Sequence, residues 1–255
     1  MTSATLKTAL VTGGAQRIGE AIVRDLAAHD YAVAIHASRS VEKADALSRE
    51  IQAAGGRAAV VIGDLTQPAA RERLIGEAAK QIGPLGVLVN NASIFKRDSI
   101  DEFDEALFDA HFEVHVKAPS ILMRDFARQL PESGSGLVVN IIDQRVWSPT
   151  PRFYSYTLSK AALYMATKTA AQALAPRIRV NAIGPGPTLP AERQSDADFE
   201  KQISGLIMKK GAGLGEFGRT IRFMHETPSI TGQMIALDGG QHLAWQTPDV
   251  AEVVE

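Results

Sequence analysis

The sequence contains no cysteine, which excludes disulfides, thiolate metal sites and cysteine nucleophiles. It also lacks any run of about 20 apolar residues, and its first residues do not form the apolar core of a signal peptide. We therefore expect a cytoplasmic protein with no membrane partner.

An excess of charge of one sign is missing as well. The chain has 27 basic and 29 acidic residues, a formal net charge of -2, and no basic stretch. Nucleic-acid-binding surfaces are typically basic, so we expect no nucleic-acid partner. No histidine pair has a carboxylate at metal-ligand spacing, so we also expect no metal site.

The sequence does contain a regular alternation of short apolar runs and helical patterns. The apolar runs are residues 8–14, 31–36, 57–65, 86–93, 136–143, 178–186 and 233–240, and helical spacing follows the first three at 17–29, 41–54 and 69–82. Strands without polar alternation indicate a parallel sheet that is covered on both faces. The pattern predicts an α/β fold: a single-domain, doubly wound Rossmann fold with a mainly parallel seven-stranded sheet flanked by helices.

The sequence has no internal repeat and no linker-like segment, so we interpret residues 1–255 as one dinucleotide-binding and catalytic domain. Residues 184–215 are rich in glycine, proline and charge, and they are too long for a simple connection. We expect this segment to be a substrate lid.

A glycine-rich turn, T-G-G-A-Q-R-I-G at residues 12–19, lies between the first strand and the first helix. A dinucleotide pyrophosphate binds at such a helix N-terminus. The turn lacks the literal G-x-G-x-x-G spacing, and a purely structural turn is the alternative. The context of strand, turn and helix favours a cofactor site.

The end of the second strand carries no acidic residue, although chains that prefer NAD place one there to bind the ribose hydroxyls. Ser38, Arg39 and Ser40 stand there instead, and the Arg39 guanidinium can bind a 2′-phosphate. Arg17 in the glycine turn adds a second positive charge. These residues predict NADPH as cofactor, whereas the alternative is that Arg39 is an ordinary solvated arginine. Asp64 after the third strand could accept from the adenine amino group.

Tyr156 and Lys160 lie four positions apart in a predicted helix, so their side chains share one face. A tyrosine with its usual pKa near 10 is a poor acid at neutral pH, and a neighbouring ammonium lowers that pKa. Tyr154 has Leu158 at the same spacing and therefore has no such partner. We predict that Tyr156 and Lys160 are catalytic.

Taken together, the chain resembles the short-chain dehydrogenases/reductases from Leu6 to Leu243. The motifs T-G-x-x-x-R-x-G, N-N-A-S, Y-x-x-x-K, P-G and the final D-G-G follow the family's order and spacing. Two positions depart from the common pattern. Asp143, thirteen positions before Tyr156, stands where the family has its catalytic serine, and His115 stands where the family has a helix asparagine. We interpret His115 as a packed or hydrogen-bonded side chain rather than an acid or base.

The first departure resembles the pteridine reductases, as do Arg17 in the glycine turn, H-x-x-R-S after the second strand and N-A-S-x-F at residues 91–95. His115 and the D-G-G-Q-H-L ending are similar to a bacterial branch that reduces dihydromonapterin and, more weakly, dihydrofolate. The resemblance implies that Phe95 stacks on a pterin, although a core aromatic is the alternative, and it implies a homotetramer. The implied substrate-binding residues are Arg17, Ser93, Phe95, Asp143 and Tyr156. The implied cofactor-binding residues are Gly13, Gln16, Arg17, Ile18, Ser38, Arg39, Ser40, Asp64, Leu65, Asn91, Ala92, Ser93, Tyr156, Lys160, Pro185, Gly186 and Thr188.

A carboxylate at Asp143 suits a pterin better than a ketone. Near Tyr156 it disfavours the phenolate, so the tyrosine stays a proton donor over a wider pH range. That property suits protonation of a ring nitrogen as hydride reaches the adjacent carbon. We predict catalytic roles for Asp143, Tyr156 and Lys160. A carbonyl or enoyl reductase and a catalytically silent NADPH-binding protein are the alternatives.

Overall fold

The computed structural model of the protein describes residues 6–190 and 194–246, and it contains one seven-stranded sheet. The strand order is β3-β2-β1-β4-β5-β6-β7, and every neighbouring pair is parallel. The doubly wound fold that strand–helix alternation predicted is therefore confirmed. The strands are β1 Thr8–Val11, β2 Ala32–Ala37, β3 Ala58–Ile62, β4 Val87–Asn90, β5 Gly136–Ile141, β6 Ile178–Pro185 and β7 Met234–Leu237.

Eight α-helices occur in the described residues: α1 Arg17–Ala28, α2 Val41–Ala53, α3 Pro68–Ile82, α4 Glu105–Phe112, α5 Ala118–Gln129, α6 Tyr154–Leu174, α7 Asp196–Ser204 and α8 Leu214–Glu226. One π-helical turn, Glu113–Lys117, joins α4 to α5. Such wide turns are rare, and they occur often at functional sites.

The central strands of the sheet, β1, β2, β4 and β5, are buried on both faces, which explains why they are apolar without alternation. Along β1, Ala9 and Val11 belong to a cluster that α1 and α8 cover, whereas Leu10 belongs to a cluster that α3 and α5 cover. Successive side chains of a strand point to opposite faces. Both faces therefore require apolar residues, as in other parallel sheets.

The strand order reverses at β1, which has β2 on one side and β4 on the other. Ligands of doubly wound folds bind at this switch point, over the carboxyl ends of the strands. Buried amides fix the neighbouring strands in register. The Asn90 amide donates to Asn140 Oδ1 across β4 and β5 (2.8 Å), and the Asn140 amide donates to Thr167 Oγ1 on α6 (2.9 Å). This ladder fixes α6 against the strand that leads to Asp143.

The segment 184–215 includes the end of β6 and the nine-residue helix α7, so part of it is regular. Residues 191–193 of the expected lid lie outside the described residues, as do 1–5 and 247–255 of the expected domain. No helix in the described part of the chain combines the length and apolar character needed to cross a bilayer.

Candidate active site

The centre of the site is a hydrogen bond between Tyr156 and Asp143, which two separate elements bring together. Asp143 follows β5, and its Oδ1 accepts from the Arg145 amide (2.8 Å), which starts a short 3-10 turn. Tyr156 lies in the first turn of α6 and is 5 % exposed. Its hydroxyl donates to Asp143 Oδ2 over 3.0 Å. The structure thus brings the predicted carboxyl and phenol into direct contact.

Arg145 is a third member of this centre, and the sequence analysis missed it. Its Nη1 donates to Asp143 Oδ2 (2.9 Å), the same oxygen that accepts from Tyr156. The guanidinium also lies 5.5 Å from the ring centroid of Phe95 and 5.3 Å from that of Phe153. An arginine two positions after an acid is too common a pattern to have indicated these contacts.

Burial is the largest cause that raises the pKa of Tyr156 well above its usual value, and the negative charge of Asp143 raises it further. The Arg145 guanidinium and the Ser93 hydroxyl act on this pKa in the opposite direction. The balance keeps the phenol protonated at neutral pH. The site therefore holds a proton donor, in agreement with the direction that the sequence predicted for Asp143.

Lys160 lies one turn further along α6, and its side chain is fully buried. Its Nζ donates to the Ile141 carbonyl (2.8 Å) and lies 5.7 Å from the ring centroid of Tyr156. Burial lowers the pKa of Lys160 to about 8, while the charge of Asp143 raises it. An ammonium beside the phenol is the arrangement that the four-residue spacing predicted.

Phe95 lies in the loop after β4 and is 45 % exposed, so its interpretation as a core aromatic is wrong. One face stacks on Phe153, with 4.4 Å between centroids and 11° between planes. Tyr156 packs edge-on to Phe95 at 4.9 Å. Phe153 has φ 65°, a left-handed conformation that costs a non-glycine residue about 1 kcal/mol or more. A flat, solvent-open aromatic surface therefore lies directly beside the proton donor.

His115 lies in the π-helical turn and is buried under the same loop. Its Nε2 lies 2.9 Å from Ser93 Oγ and accepts from the Ile94 amide (3.1 Å), while its Nδ1 lies 2.8 Å from Ser159 Oγ. Burial is the main cause that lowers the pKa of His115 well below its usual value, followed by the charge of Lys160. The ring is therefore neutral and hydrogen-bonded, as the sequence analysis interpreted it.

Asp98 joins the loop of Phe95 to the start of α6. Its Oδ2 accepts from the Ser155 amide (3.0 Å) and from the Ser155 hydroxyl (2.5 Å), and its carbonyl accepts from the Phe153 amide (2.8 Å). His111 completes this buried group through its Nδ1, which lies 2.7 Å from Ser155 Oγ. Asp98 thus caps the helix that carries Tyr156, although 57 residues separate it from Ser155.

The glycine turn at the end of β1 forms the neighbouring part of the site. Gly13 has φ 61°, and its backbone amide donates to His36 Nδ1 (3.1 Å), a partly buried contact that the sequence analysis missed. A Cβ at Gly19 would lie 2.1 Å from the Gly13 carbonyl oxygen, so only glycine permits this approach. The side-chain amide of Asn91 (Nδ2) donates to the backbone carbonyls of Thr12 (2.8 Å) and Gly13 (3.1 Å), which fixes the turn against β4.

The turn presents a helix N-terminus without a side-chain cap. Gln16 at the N-cap of α1 is extended and makes no capping hydrogen bond. Arg17 has φ 55°, a left-handed conformation that a glycine would adopt without strain. Its exposed guanidinium donates to the Pro190 carbonyl (3.1 Å). Free amides and a nearby guanidinium suit a phosphate group. Ile18 is partly buried behind them in the first turn.

The residues predicted for the adenosine side gather at the ends of β2 and β3. Ser38 and Arg39 are exposed, and no salt bridge involves Arg39 among the residues that the structure describes. Ser40 precedes α2. The Asp64 carboxyl accepts from the Thr66 amide (2.9 Å) and hydroxyl (2.8 Å), which lowers its pKa together with the charge of Arg39. A free guanidinium beside hydroxyl groups fits the phosphate that NADPH carries on its ribose.

The remaining predicted residues complete the crevice. Leu65 is buried after β3, and Ala92 donates its amide to Thr12 Oγ1 (3.0 Å). Gly186, directly after β6, donates its amide to the Leu237 carbonyl (2.9 Å), and the Thr188 hydroxyl donates to the Gly186 carbonyl (3.2 Å). Pro185 is the last residue of β6. In residues 6–190 and 194–246, no three His, Cys, Asp or Glu side chains gather as metal ligands would.

Comparison with known proteins agrees with this geometry. Residues 7–201 match the family described as short chain dehydrogenase, and the chain belongs to this family. It is 57% identical to a crystal structure of FolM Alternative dihydrofolate reductase 1 from Brucella canis complexed with NADP, with TM-score 0.94 over 97% of this chain and 98% of that one. A short chain dehydrogenase from Burkholderia cenocepacia in complex with NADP is 33% identical, with TM-score 0.86 over 94% and 99% of the chains. The 3-oxoacyl-[acyl-carrier-protein] reductase FabG of Staphylococcus epidermidis is 29% identical over 93% of this chain and 99% of its own length.

Proposed function

We propose that this protein is an NADPH-dependent reductase of dihydropterins, either dihydromonapterin or dihydrofolate, with Tyr156 as proton donor. The observation that carries the proposal is the hydrogen bond from the Tyr156 hydroxyl to Asp143 Oδ2, beside the exposed ring of Phe95. The likeness to the Brucella canis reductase supports the same substrate class.

The residues at the switch point fit NADPH. The uncapped N-terminus of α1 and Arg17 suit the pyrophosphate, and Arg39 with its neighbouring serines suits the 2′-phosphate. In this proposal the residues that contact the cofactor are those that the sequence analysis names as cofactor-binding, of which Gly13 is the first and Thr188 the last. NADPH supplies the hydride when it is bound.

The chain's own residues then control the proton. The Tyr156 hydroxyl is protonated at neutral pH, and rotation about its C–O bond turns its single proton from Asp143 Oδ2 to the ring nitrogen next to the carbon that receives hydride. The Asp143 carboxylate orients this hydroxyl through the 3.0 Å hydrogen bond. Lys160 holds a positive charge under the phenol, which stabilises the tyrosinate that forms when the proton leaves.

Substrate contacts in this proposal come from two sides of the crevice. Ser93, Phe95, Asp143 and Tyr156 lie together, with Phe95 offering a flat ring to a flat heterocycle. Arg17 lies on the glycine turn, and its contact with Pro190 reaches the start of the segment 184–215. We propose that this segment covers the bound substrate.

The proposal includes a homotetramer, which the family resemblance implies. Two exposed apolar side chains on one face of α6 support burial of this helix against another copy: Leu158 at 39% and Met165 at 56% exposure, seven positions apart. Light scattering at several protein concentrations measures the assembly directly.

The deciding experiment measures NADPH oxidation with dihydromonapterin, with dihydrofolate and with a set of simple ketones. We expect turnover of a dihydropterin and none of the ketones, because a carboxylate at position 143 offers no donor to a carbonyl oxyanion. Tyr156→Phe should lower kcat at least about 100-fold, since it removes the proton donor. NADPH binding with no turnover of any pterin would contradict the proposal.

A further inference from the structure

The hydrogen bonds around His115 fix which of its two nitrogens carries the proton. The Ile94 backbone amide can only donate, and it lies 3.1 Å from His115 Nε2, so Nε2 is an acceptor without a proton. On the Nδ1 side of the ring, the Ser159 hydroxyl donates its proton to the backbone carbonyl of Tyr156 (2.7 Å). Ser159 Oγ must therefore accept from His115 Nδ1, at 2.8 Å. Two independent contacts thus give the same tautomer, with the proton on Nδ1.

This tautomer decides the direction of the third hydrogen bond. Ser93 Oγ lies 2.9 Å from His115 Nε2, and because Nε2 has no proton, the serine must donate. Two other acceptors compete for its proton, the Tyr156 hydroxyl oxygen and the Ile94 carbonyl, which at 3.4 Å is near the limit for a hydrogen bond. The proton goes to Nε2 because an unprotonated ring nitrogen can only accept, whereas the Tyr156 hydroxyl can also donate. A serine has one proton and two lone pairs, so the lone pairs are what Ser93 offers to the pocket. The Ser93 side chain is exposed at this point.

We propose that His115 is a positioning residue that fixes the Ser93 hydroxyl as a hydrogen-bond acceptor toward the substrate, so the site selects a heterocycle that presents an N–H group there. The part about the ligand rests on the proposed function, whereas the part about the tautomer does not. A ligand that presents a carbonyl or another acceptor to Ser93 finds no donor, and an unpaired polar contact of this kind discriminates strongly between analogues.

Burial and the positive charge of Lys160 keep the His115 imidazole neutral. Only the neutral ring leaves Nε2 free to accept from the Ser93 hydroxyl. The ring also packs edge-to-face with Tyr156, with 5.4 Å between centroids and 89° between planes. The π-helical turn brings His115 to this depth between the loop and α6.

Nitrogen NMR of protein labelled with ¹⁵N-histidine tests the tautomer directly. The resonances of His115 among the six histidines are assigned by their loss in His115→Asn. We expect a protonated Nδ1 and an unprotonated Nε2 at neutral pH, with and without NADPH. A proton on Nε2, or on both nitrogens, would overturn the proposal.

A double-mutant cycle tests the consequence for binding. The probe is a diaminopteridine, whose amino groups are N–H donors, titrated by calorimetry into the NADP complex. We expect Ser93→Ala and His115→Phe each to weaken binding about 10-fold, and the double variant to be no weaker than either. If the double variant binds the probe about 100-fold more weakly, or if the single variants bind it as the native chain does, His115 does not act on the ligand through Ser93 and the proposal is overturned.

Ser159→Ala is the matched control. It removes the acceptor of Nδ1 but leaves the Ile94 amide on Nε2, so the affinity should stay within about twofold of the native value. Failure of the native chain to bind the probe would contradict the proposed function, and the NMR result would still decide the tautomer.

Discussion

The Tyr156 phenol lies between charges that act on its pKa in opposite directions. Asp143 raises this pKa and Arg145 lowers it. The Tyr156 hydroxyl and the Arg145 guanidinium both donate to the same oxygen, Asp143 Oδ2. Asp143 also raises the pKa of Lys160, which burial lowers to about 8. Activity needs a protonated phenol and a charged lysine, so the lysine sets the alkaline limit.

Asp143→Asn therefore should shift the alkaline limb of kcat toward lower pH, because the pKa values of Tyr156 and Lys160 both fall. Arg145→Met is the matched variant with the opposite sign. It removes a charge that lowers the pKa of Tyr156, so the limb should not move toward lower pH. The measurement is kcat against pH with a dihydropterin. Equal profiles for the native chain and Asp143→Asn would show that the acid does not raise the pKa of the group that sets the alkaline limit.

Arg17 keeps a left-handed backbone at φ 55°, where a glycine would be unstrained. Arg17→Gly should leave the free energy of unfolding unchanged or raise it by up to about 1 kcal/mol, because relief of strain outweighs the added freedom of the unfolded chain. The Kd values for NADPH and for NADH should both rise about 10-fold, since the lost contact is with the pyrophosphate that both cofactors carry.

The control for Arg17 is Arg24→Gly, in the regular part of α1, where Arg24 pairs with Glu20 and Glu50. That change should cost about 1 kcal/mol of stability and leave cofactor binding unaltered. Urea unfolding and fluorescence titration measure both quantities. Loss of stability in Arg17→Gly equal to that of the control would argue against stored strain.

At the scale of elements, the loop after β4 and the start of α6 act as one unit because Asp98 caps the helix. Asp98→Ala leaves the Ser155 amide and hydroxyl without their acceptor in a buried place. We expect a loss of about 2 kcal/mol of stability, or about 4–8 °C in Tm. The KM for the pterin should rise as well, since the loop that carries Phe95 loses its attachment.

Asp104→Ala provides the comparison, since Asp104 caps a different helix, α4, by accepting from the Leu107 amide (3.1 Å) at an exposed position. It should cost about 1 kcal/mol and leave the KM unchanged. A rise in KM of the same size in both variants would mean that the effect of Asp98 is general loosening rather than attachment of the loop.

The sequence predicts the elements that local patterns specify. Apolar runs located the strands to within a few residues, and the four-residue spacing of Tyr156 and Lys160 predicted that the two side chains share one face of α6. Asp98 and Arg145 escaped prediction because their partners depend on tertiary packing: Asp98 meets Ser155 across 57 residues that include β5. The π-helical turn that places His115 likewise has no signature in a single sequence.

At the scale of the whole molecule, burial of the Lys160 ammonium lowers the free energy of unfolding. In the folded chain its pKa is about 8, below the 10.5 of a free lysine. Between these values the unfolded chain binds more protons than the folded one, so the free energy of unfolding rises with pH through this window. Below pH 8 the full penalty of about 3 kcal/mol applies.

Lys160→Met removes that penalty and loses the hydrogen bond to the Ile141 carbonyl, which contributes about 1 kcal/mol. At pH 7 we expect the variant to be about 2 kcal/mol more stable than the native chain and inactive with a dihydropterin. Near pH 10 the gain should shrink, because the native penalty is mostly gone. Urea unfolding at the two pH values measures this difference.

Lys168→Met, which removes an exposed lysine from the same helix, should change stability by no more than about 0.5 kcal/mol at either pH. A Lys160→Met chain less stable than the native one would mean that the buried ammonium stabilises the fold instead of costing it.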